Sequence, residues 1–336
     1  MEQSEMTKKG FTNPSVEVAR EVFKQKSRVM SDKRHTVKEA VKKWIHDGDY
    51  LAVGGFGTNR IPTALLHEIL RQKVQNLGFS GHTAKHDFQL LCAGNMTGRG
   101  QTLARVDIAY VMGMEARGLS SHPRRVLESG MLEITEWTNY ALAVRYQAAA
   151  MGVPFLPIRS MLGTDTGRFS NLREIDCPFT GQKLAAVPAL FPDVVLIHVQ
   201  EADIYGNCSW TGTSVADLEL SRAAKKLIIT CEKLVPHEEF RANPNKAQIP
   251  FFCVDAVCEV PYGSYPGNMP GKYFTDERYI GEWMTAEHNL DTFKSFLDKY
   301  IFGVEDFSEF LHLCGGISRL QELRDEEIFI PPYPTR

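Results

Sequence analysis

A chain of 336 residues with 43% apolar residues can bury one large core or two moderate ones, and 24% charged residues suits an ordinary globular protein. A formal charge of −3 without a basic stripe argues against a nucleic-acid surface, and no apolar run approaches the roughly 20 residues of a bilayer span. Seven cysteines without framework spacing, behind a polar amino terminus that lacks the apolar centre of a secretory signal, point to reduced thiols and a cytoplasmic chain.

Residues 1–30 are polar and mixed. They read as a disorder-prone extension ahead of the folded body, with a short helix over 16–26. Thr36-Val-Lys-Glu39 is a capping box, and Val37, Ala40, Val41, Trp44 and Ile45 then recur at helical spacing. The tetrapeptide HDGD (46–49) stops that helix, and YLAVGGF (50–56) is a buried strand. Pro62 opens a second helix with Leu65, Leu66, Ile69 and Leu70 inward, closing near Gly78. VDIAYVMG (106–113) has strand length. NYALAVRYQAAAMG (139–152) is helical and stops at Gly152, with Pro154 just beyond.

DVVLIHVQ (193–200) and KLIITCE (226–232) are β-branched strands flanking the helical stretch VADLELSRAAKK (215–226). FFCVDAVCEV (251–260) alternates like a strand. Its odd spacing sets Cys253 and Cys258 on opposite faces, so they read as buried structural thiols, not as a metal or disulfide pair. Residues 290–302 and 304–313 are helical. Strands alternating with helices imply an α/β fold: an open, mainly parallel sheet covered by helices on both faces. It forms one domain over 31–336, with a small excursion around 160–185.

In such a sheet, ligands bind beyond the carboxyl ends of the strands. Gly54 and Gly55 sit at one of those ends, where missing Cβ atoms permit close approach and leave N–H groups as donors. A dinucleotide fingerprint fails here, because Arg60 stands where Gly55-Phe-Gly57-Thr-Asn-Arg60 would need a glycine, and no P-loop lysine motif exists. A tight turn without function is the competing reading.

The stretch Asp47-Gly48-x-x-Leu51-Ala52-Val53-Gly54-Gly55-Phe56, followed after five residues by Pro62, resembles the first signature of the family I coenzyme A transferases. That signature has a glycine two residues before the proline. Arg60 at that place is similar to the glutaconate-type branch. HEILRQ (67–72), AAAMGVPFLP (148–157), DCPFTGQKLAAVPAL (176–190), DVVLIHVQEADIYGN (193–207), AAKKLIITCE (223–232) and VDAVCEVPYGSYP (254–266) look like the A-type chain of that branch, in order, over roughly 32–315.

The resemblance implies transfer of CoA between an acyl-CoA and a free carboxylic acid through a glutamyl-CoA thioester. The acyl group would be glutaconate-like or another short or dicarboxylic one. The glutamate is expected on a homologous B-type subunit, in an A2B2 or larger assembly. No S-E-N-G-like motif occurs here, and Glu128-Ser129-Gly130 reads as a helix end with a glycine stop. The chain itself is thus expected to carry no catalytic nucleophile, no metal and no tightly bound cofactor, with the CoA thioester as substrate.

On this picture Gly54, Gly55, Phe56 and Gly57 face the thioester, and the Gly54 and Gly55 amides support its oxygen as charge develops. Arg60 offers a planar fork for a carboxylate or a CoA phosphate, or else anchors the turn by a salt bridge. Ser80, His82 and Thr83, in GFSGHTAKHD (78–87), line the acyl pocket. A metal held by His82, His86 and Asp87 is disfavoured, since the zinc-protease glutamate is absent. Glu115 and Arg117, in GMEARG (113–118), form a substrate-selecting loop or a surface ion pair. His198, within an apolar strand, reads as a hydrogen-bonded core histidine.

Ring-opening hydrolases of CoA-linked steroid fragments also resemble the chain, through PFLPIR (154–159), Gly206-Asn207 and Thr211-Gly212. They carry a carboxylate where Asn139 precedes Tyr140, and an amide cannot act as a general base. A decarboxylase on the same scaffold is a third reading. A non-catalytic acyl-CoA-binding or regulatory module is a fourth, weakened because residues 1–30 are too short for a DNA-binding helix pair.

Overall fold

A computed structural model describes residues 13, 15–114 and 117–329. Val16–Gln25 (α1) and Val37–Trp44 (α2) lead into the sheet. The α2 capping box forms: Thr36 Oγ1 accepts the Glu39 amide at 3.2 Å, and the Glu39 carboxylate accepts the Thr36 amide at 2.9 Å. Tyr50–Val53 (β1), Thr63–Arg71 (α3), Leu77–Gly81 (β2), His86–Ala93 (α4), Leu103–Ile108 (β3), Ser121–Glu128 (α5) and Glu133–Glu136 (β4) then alternate.

Asn139–Met151 (α6) leads to a small antiparallel sheet of Phe155–Ile158 (β5), Arg173–Asp176 (β6) and Lys183–Pro188 (β7), with Asp165–Phe169 (α7) between its first two strands. The chain re-enters the main sheet through Val194–Ala202 (β8), Cys208–Ser209 (β9), Asp217–Ala223 (α8), Lys226–Leu234 (β10), His237–Ala242 (α9) and Ala256–Glu259 (β11). Glu277–Ala286 (α10), Leu290–Leu297 (α11), Phe307–Leu313 (α12) and Gly316–Phe329 (α13) complete the described chain.

The main sheet runs β11-β10-β8-β1-β2-β3-β4, with every neighbour along that path parallel and β9 antiparallel against β8. From β1 the chain steps outward to β4. It then returns to the other flank of β1 and steps outward again to β11. The strand order therefore reverses between β1 and β8, and a crevice opens at such a point beyond the carboxyl ends.

Period-two alternation assigns each strand's side chains to the two faces. Leu51 and Val53 join a core with α3, α4 and the aromatic residues of the carboxyl-terminal helices, whereas Tyr50 and Ala52 join a second core with α6 and α8. Burial on both faces explains why these strands read as unbroken apolar runs. Every residue of α3 from Thr63 to Leu70 is buried, because the sheet lies on one side and Tyr279, Phe307 and Phe310 on the other. The fold is thus an α/β sheet flanked by helices on both faces, as the alternation implies.

Several boundaries differ from expectation. The helix after Pro62 ends at Arg71, and Gly78 lies within β2, where a Cβ would sit 2.3 Å from the Tyr50 ring. The strand expected over 106–113 starts at Leu103 and stops at Ile108. Of the strand expected over 251–260, Phe251–Cys253 is a 3-10 turn and only Ala256–Glu259 pairs. Cys253 and Cys258 nonetheless lie in separate cores on opposite sides of the sheet.

Within residues 1–30, α1 lies against the body. Val16 and Ala19 pack with Ala148, Ala189, Phe191 and Ala223, and Lys26 Nζ reaches Asp255 at 2.8 Å.

Candidate functional site

The turn after β1 is built from contacts inside the chain. The Gly54 amide donates to the Leu196 carbonyl at 2.9 Å, and the Gly55 amide donates to Asp217 Oδ1 at 2.9 Å. Phe56 exchanges backbone bonds with Asn59, and the Gly57 amide donates to the Thr83 carbonyl at 3.2 Å. A Cβ on Gly54 would lie 2.8 Å from both Asp217 Oδ1 and Ile197 Cγ1. Gly54 and Gly55 are therefore bare because the protein's own atoms press on them. In this conformation both amides, expected to support an oxyanion, donate to acceptors within the chain.

Arg60 is fully buried. Its Nη1 and Nη2 donate to the two oxygens of Asp217 at 3.1 and 2.8 Å, Nη2 also donates to the Thr213 carbonyl at 2.7 Å, and the guanidinium lies 5.1 Å from the Trp210 ring centre. Of the two readings left open for Arg60, the anchoring salt bridge is the one formed. Ser80 is fully buried in β2, paired with Ala52, and is not among the residues lining the cleft beside the turn. His82 is half-buried beside Phe56, with ring centres 5.7 Å apart, and its Nδ1 is 3.2 Å from Thr83 Oγ1. Glu115 lies outside the described residues.

A cleft of about 670 Å³ opens beside the turn. Phe56, Gly57, Thr58, Asn59, Thr83 and Lys85 form one wall, and Met114, Arg117, Thr275, Glu277 and Ile280 the other. Four of the expected residues meet here: Phe56, Gly57, Thr83 and Arg117. Arg117 Nε donates to Glu277 Oε2 at 2.8 Å and its Nη2 to the Glu277 carbonyl at 2.6 Å, tying the 117 loop to the start of α10. Thr83 Oγ1 accepts from Asn139 Nδ2 at 3.1 Å, which brings the first residue of α6 to the cleft edge. Asn268 braces the floor, bonding Asn59 Oδ1 at 2.7 Å and Thr58 Oγ1 at 3.2 Å.

Lys85, Asp217 and the 275–280 wall were missed by sequence reasoning. Lys85 stands in the quoted loop 78–87, so a signal existed. Asp217 and the far wall had none, because their partners are distant along the chain.

A larger groove of about 990 Å³ lies between α2, the ends of β10 and β11, and α12, but shares no lining residue with the turn. Asp32–Arg34 and Glu68–Arg71 pairs hold charges along it, and Glu259 accepts the Leu234 amide. The smaller cleft is the better candidate. Among the described residues no group of three or more His, Cys, Asp or Glu side chains is placed to hold a metal.

Behind the loop, Asp87 and His86 open α4 and are buried. Burial raises the Asp87 pKa to about 6, although backbone amides of Phe88 and Lys85 hydrogen-bond its carboxylate. A raised carboxylate pKa means that the folded form binds the proton more tightly. Its stability contribution therefore improves as pH falls from about 6 to about 4 and is lost as pH rises. Asp87→Asn removes that term. The variant should gain stability at pH 7 relative to pH 4.5, compared with the parent, by about 2 kcal/mol, read from urea midpoints at the two pH values.

His198 behaves as a core residue: it is buried, with Nδ1 2.8 Å from Thr230 Oγ1 and Nε2 2.8 Å from Glu232 Oε1. The helix ending at Glu128 is formed as expected.

An open parallel sheet whose strand order reverses beside a glycine turn, with a ligand-sized cleft at the strand ends, defines an α/β protein of the class in which ligands bind at such switch points. Residues 34–260 match the family model described as coenzyme A transferase. The A-type chain of 3-oxoadipate CoA-transferase from Pseudomonas knackmussii is 38% identical over 279 residues, covering 82% of this chain and 95% of its own. The A-type chain of glutaconate CoA-transferase from Acidaminococcus fermentans is 33% identical over 306 residues, covering 86% and 93%. The crystal structure of glutaconate coenzyme A-transferase from Acidaminococcus fermentans superimposes with a TM-score of 0.82 at 31% identity, over 89% of this chain and 96% of that one. The chain belongs to the coenzyme A transferase family. Among the described residues, no helix is long and apolar enough to cross a membrane.

Proposed function

We propose that the chain is the A-type component of a heteromeric CoA-transferase, exchanging CoA between a short acyl-CoA and a free carboxylic acid, with the nucleophilic glutamate on a homologous B-type chain. One observation carries this reading. Among the described residues Glu277 is the cleft's one carboxylate, and Arg117 holds it at 2.8 Å, which supports a cleft that docks the acyl group while the attacking carboxylate comes from the partner.

The partner's glutamate attacks the thioester carbonyl, expelling CoA thiolate and leaving a mixed anhydride. The thiolate then attacks the glutamyl carbonyl, giving a glutamyl-CoA thioester and releasing the acid. An acceptor carboxylate reverses both steps. This chain's part is positioning: Phe56, Met114 and Ile280 offer apolar surface to the acyl chain, and Thr58, Asn59 and Thr83 offer hydrogen bonds. Asn139 supports transfer over hydrolysis, because its amide donates to Thr83 and cannot take a proton from water.

The expected result is no acyl-CoA exchange by the purified chain alone and exchange with acetate or a dicarboxylate once the B-type chain is added. Borohydride should trap the thioester on the partner. Full-rate turnover by the isolated chain would overturn the reading, and release of free acid without an acceptor would favour a hydrolase.

A further inference from the structure

The geometry points to Glu232 and Tyr273 as positioning residues that set Thr58 and Asn59 in the cleft floor from outside the cleft, through the loop that runs from Tyr262 to Tyr273. Its bearing on catalysis rests on the cleft being the acyl-docking surface. Glu232 stands near the carboxyl end of β10, with its side chain 9% exposed. Its Oε1 accepts the Tyr273 hydroxyl at 2.6 Å and lies 2.8 Å from His198 Nε2, and its Oε2 accepts the Tyr262 amide at 2.7 Å. A carboxylate only accepts, so the imidazole carries a hydrogen on Nε2. Burial, with the Glu232 charge beside it, pushes the Tyr273 pKa well above the ordinary phenol value, so the hydroxyl keeps its proton and donates. The same hydroxyl oxygen accepts the Ser264 amide at 3.1 Å. One carboxylate thus fixes both the beginning and the end of the loop.

Two glycines show how closely the loop is held between that anchor and the turn after β1. A Cβ on Gly263 would stand 2.8 Å from His198 Cε1, and one on Gly267 would stand 2.2 Å from the Thr58 carbonyl oxygen. Tyr262 has φ +59°, a conformation that bulky side chains rarely adopt, at the residue whose amide meets Glu232. On the turn side, the Asn268 amide donates to the Thr58 carbonyl at 2.9 Å, and the Asn268 carbonyl accepts the Arg60 amide at 2.9 Å. These backbone bonds add to the Asn268 side-chain bonds with Thr58 and Asn59. Without the Tyr273 hydroxyl, the Ser264 amide and Glu232 each lose a partner. The loop is then free to shift, and Thr58 and Asn59 move with Asn268.

Tyr273→Phe removes one oxygen and keeps the ring. In the purified chain, hydrogen exchange read by mass spectrometry should speed up at least about tenfold over residues 56–60 and 262–268 and stay unchanged in α6. With the B-type chain present, kcat/KM for the acyl-CoA should fall about tenfold. Asn268→Ala should cost about as much, and the double variant no more than Asn268→Ala alone, because both act along one path. A residue that only stabilises the fold would give independent losses that multiply, or a lower urea midpoint with kcat/KM unchanged. Either result, or unchanged exchange over 56–60 in a folded Tyr273→Phe, overturns the assignment. If that variant does not fold, Glu232→Gln, which keeps the size but turns one acceptor into a donor, is read in the same way and decides. If the wild-type pair transfers CoA to no acid, the transferase reading fails, and hydrogen exchange in the chain alone still decides this one.

Discussion

Asp217→Ala should cost the folded state about 3–5 kcal/mol, because it leaves the fully buried Arg60 guanidinium without its counter-charge. The same carboxylate also accepts the Gly55 amide, so a second buried donor loses its partner. The guanidinium would still have the Thr213 carbonyl and the Trp210 face, neither of which supplies negative charge. Urea denaturation reads the effect directly, and a midpoint unchanged from the parent would refute it. Asp217→Asn keeps the shape but not the charge, and should fall between.

The second large effect is expected of Gly55→Ala. Gly55 has φ +84°, and a Cβ there would stand 2.5 Å from the Asn59 carbonyl oxygen and 2.9 Å from that of Arg60. Those atoms are backbone and cannot swing aside. Left-handed conformation and overpacking together amount to roughly 2–5 kcal/mol, unless the turn opens instead. An opened turn displaces Phe56 and Gly57 from the cleft, so CoA exchange in the presence of the B-type chain should fall at least about tenfold. Gly48→Ala is the control: its φ is +85° with nothing within 4 Å of a Cβ, so only the backbone term applies. Because Gly55 and Asp217 share one hydrogen bond, the double substitution should cost less than the sum of the single ones.

How far these features could be foreseen depends on how local their causes are. The α2 capping box involves residues three apart, and the strands β1, β8 and β10 are buried on both faces, so their apolar runs announce them. β4 escaped notice because its Glu-Ile-Thr-Glu sequence lies at the sheet edge, with both glutamates exposed. The antiparallel sheet over 155–188 carries few buried residues in β5 and β6, so no alternation marks it.

At the site, the glycine turn was visible from its residues and its resemblance, but the use of its amides was not. Leu196 and Asp217, which accept them, lie far along the chain, the latter 162 residues from Gly55. Arg60 could be read two ways for the same reason, since its counter-ion is 157 residues on. Lys85 sat among residues already singled out, yet only the fold brings its head group over Gly57.

The bracing of Thr58 and Asn59 by Asn268, about 210 residues later, bears on how the protein matures. A ribosome-bound fragment ending before that asparagine has the glycine segment but not its floor, and it lacks the wall contributed by Thr275 and Ile280. The cleft is therefore assembled only after residue 280 has been made and the most distant of these loops have shut. A protease cut between the two halves of this brace should accordingly silence the pocket while leaving much of the sheet intact.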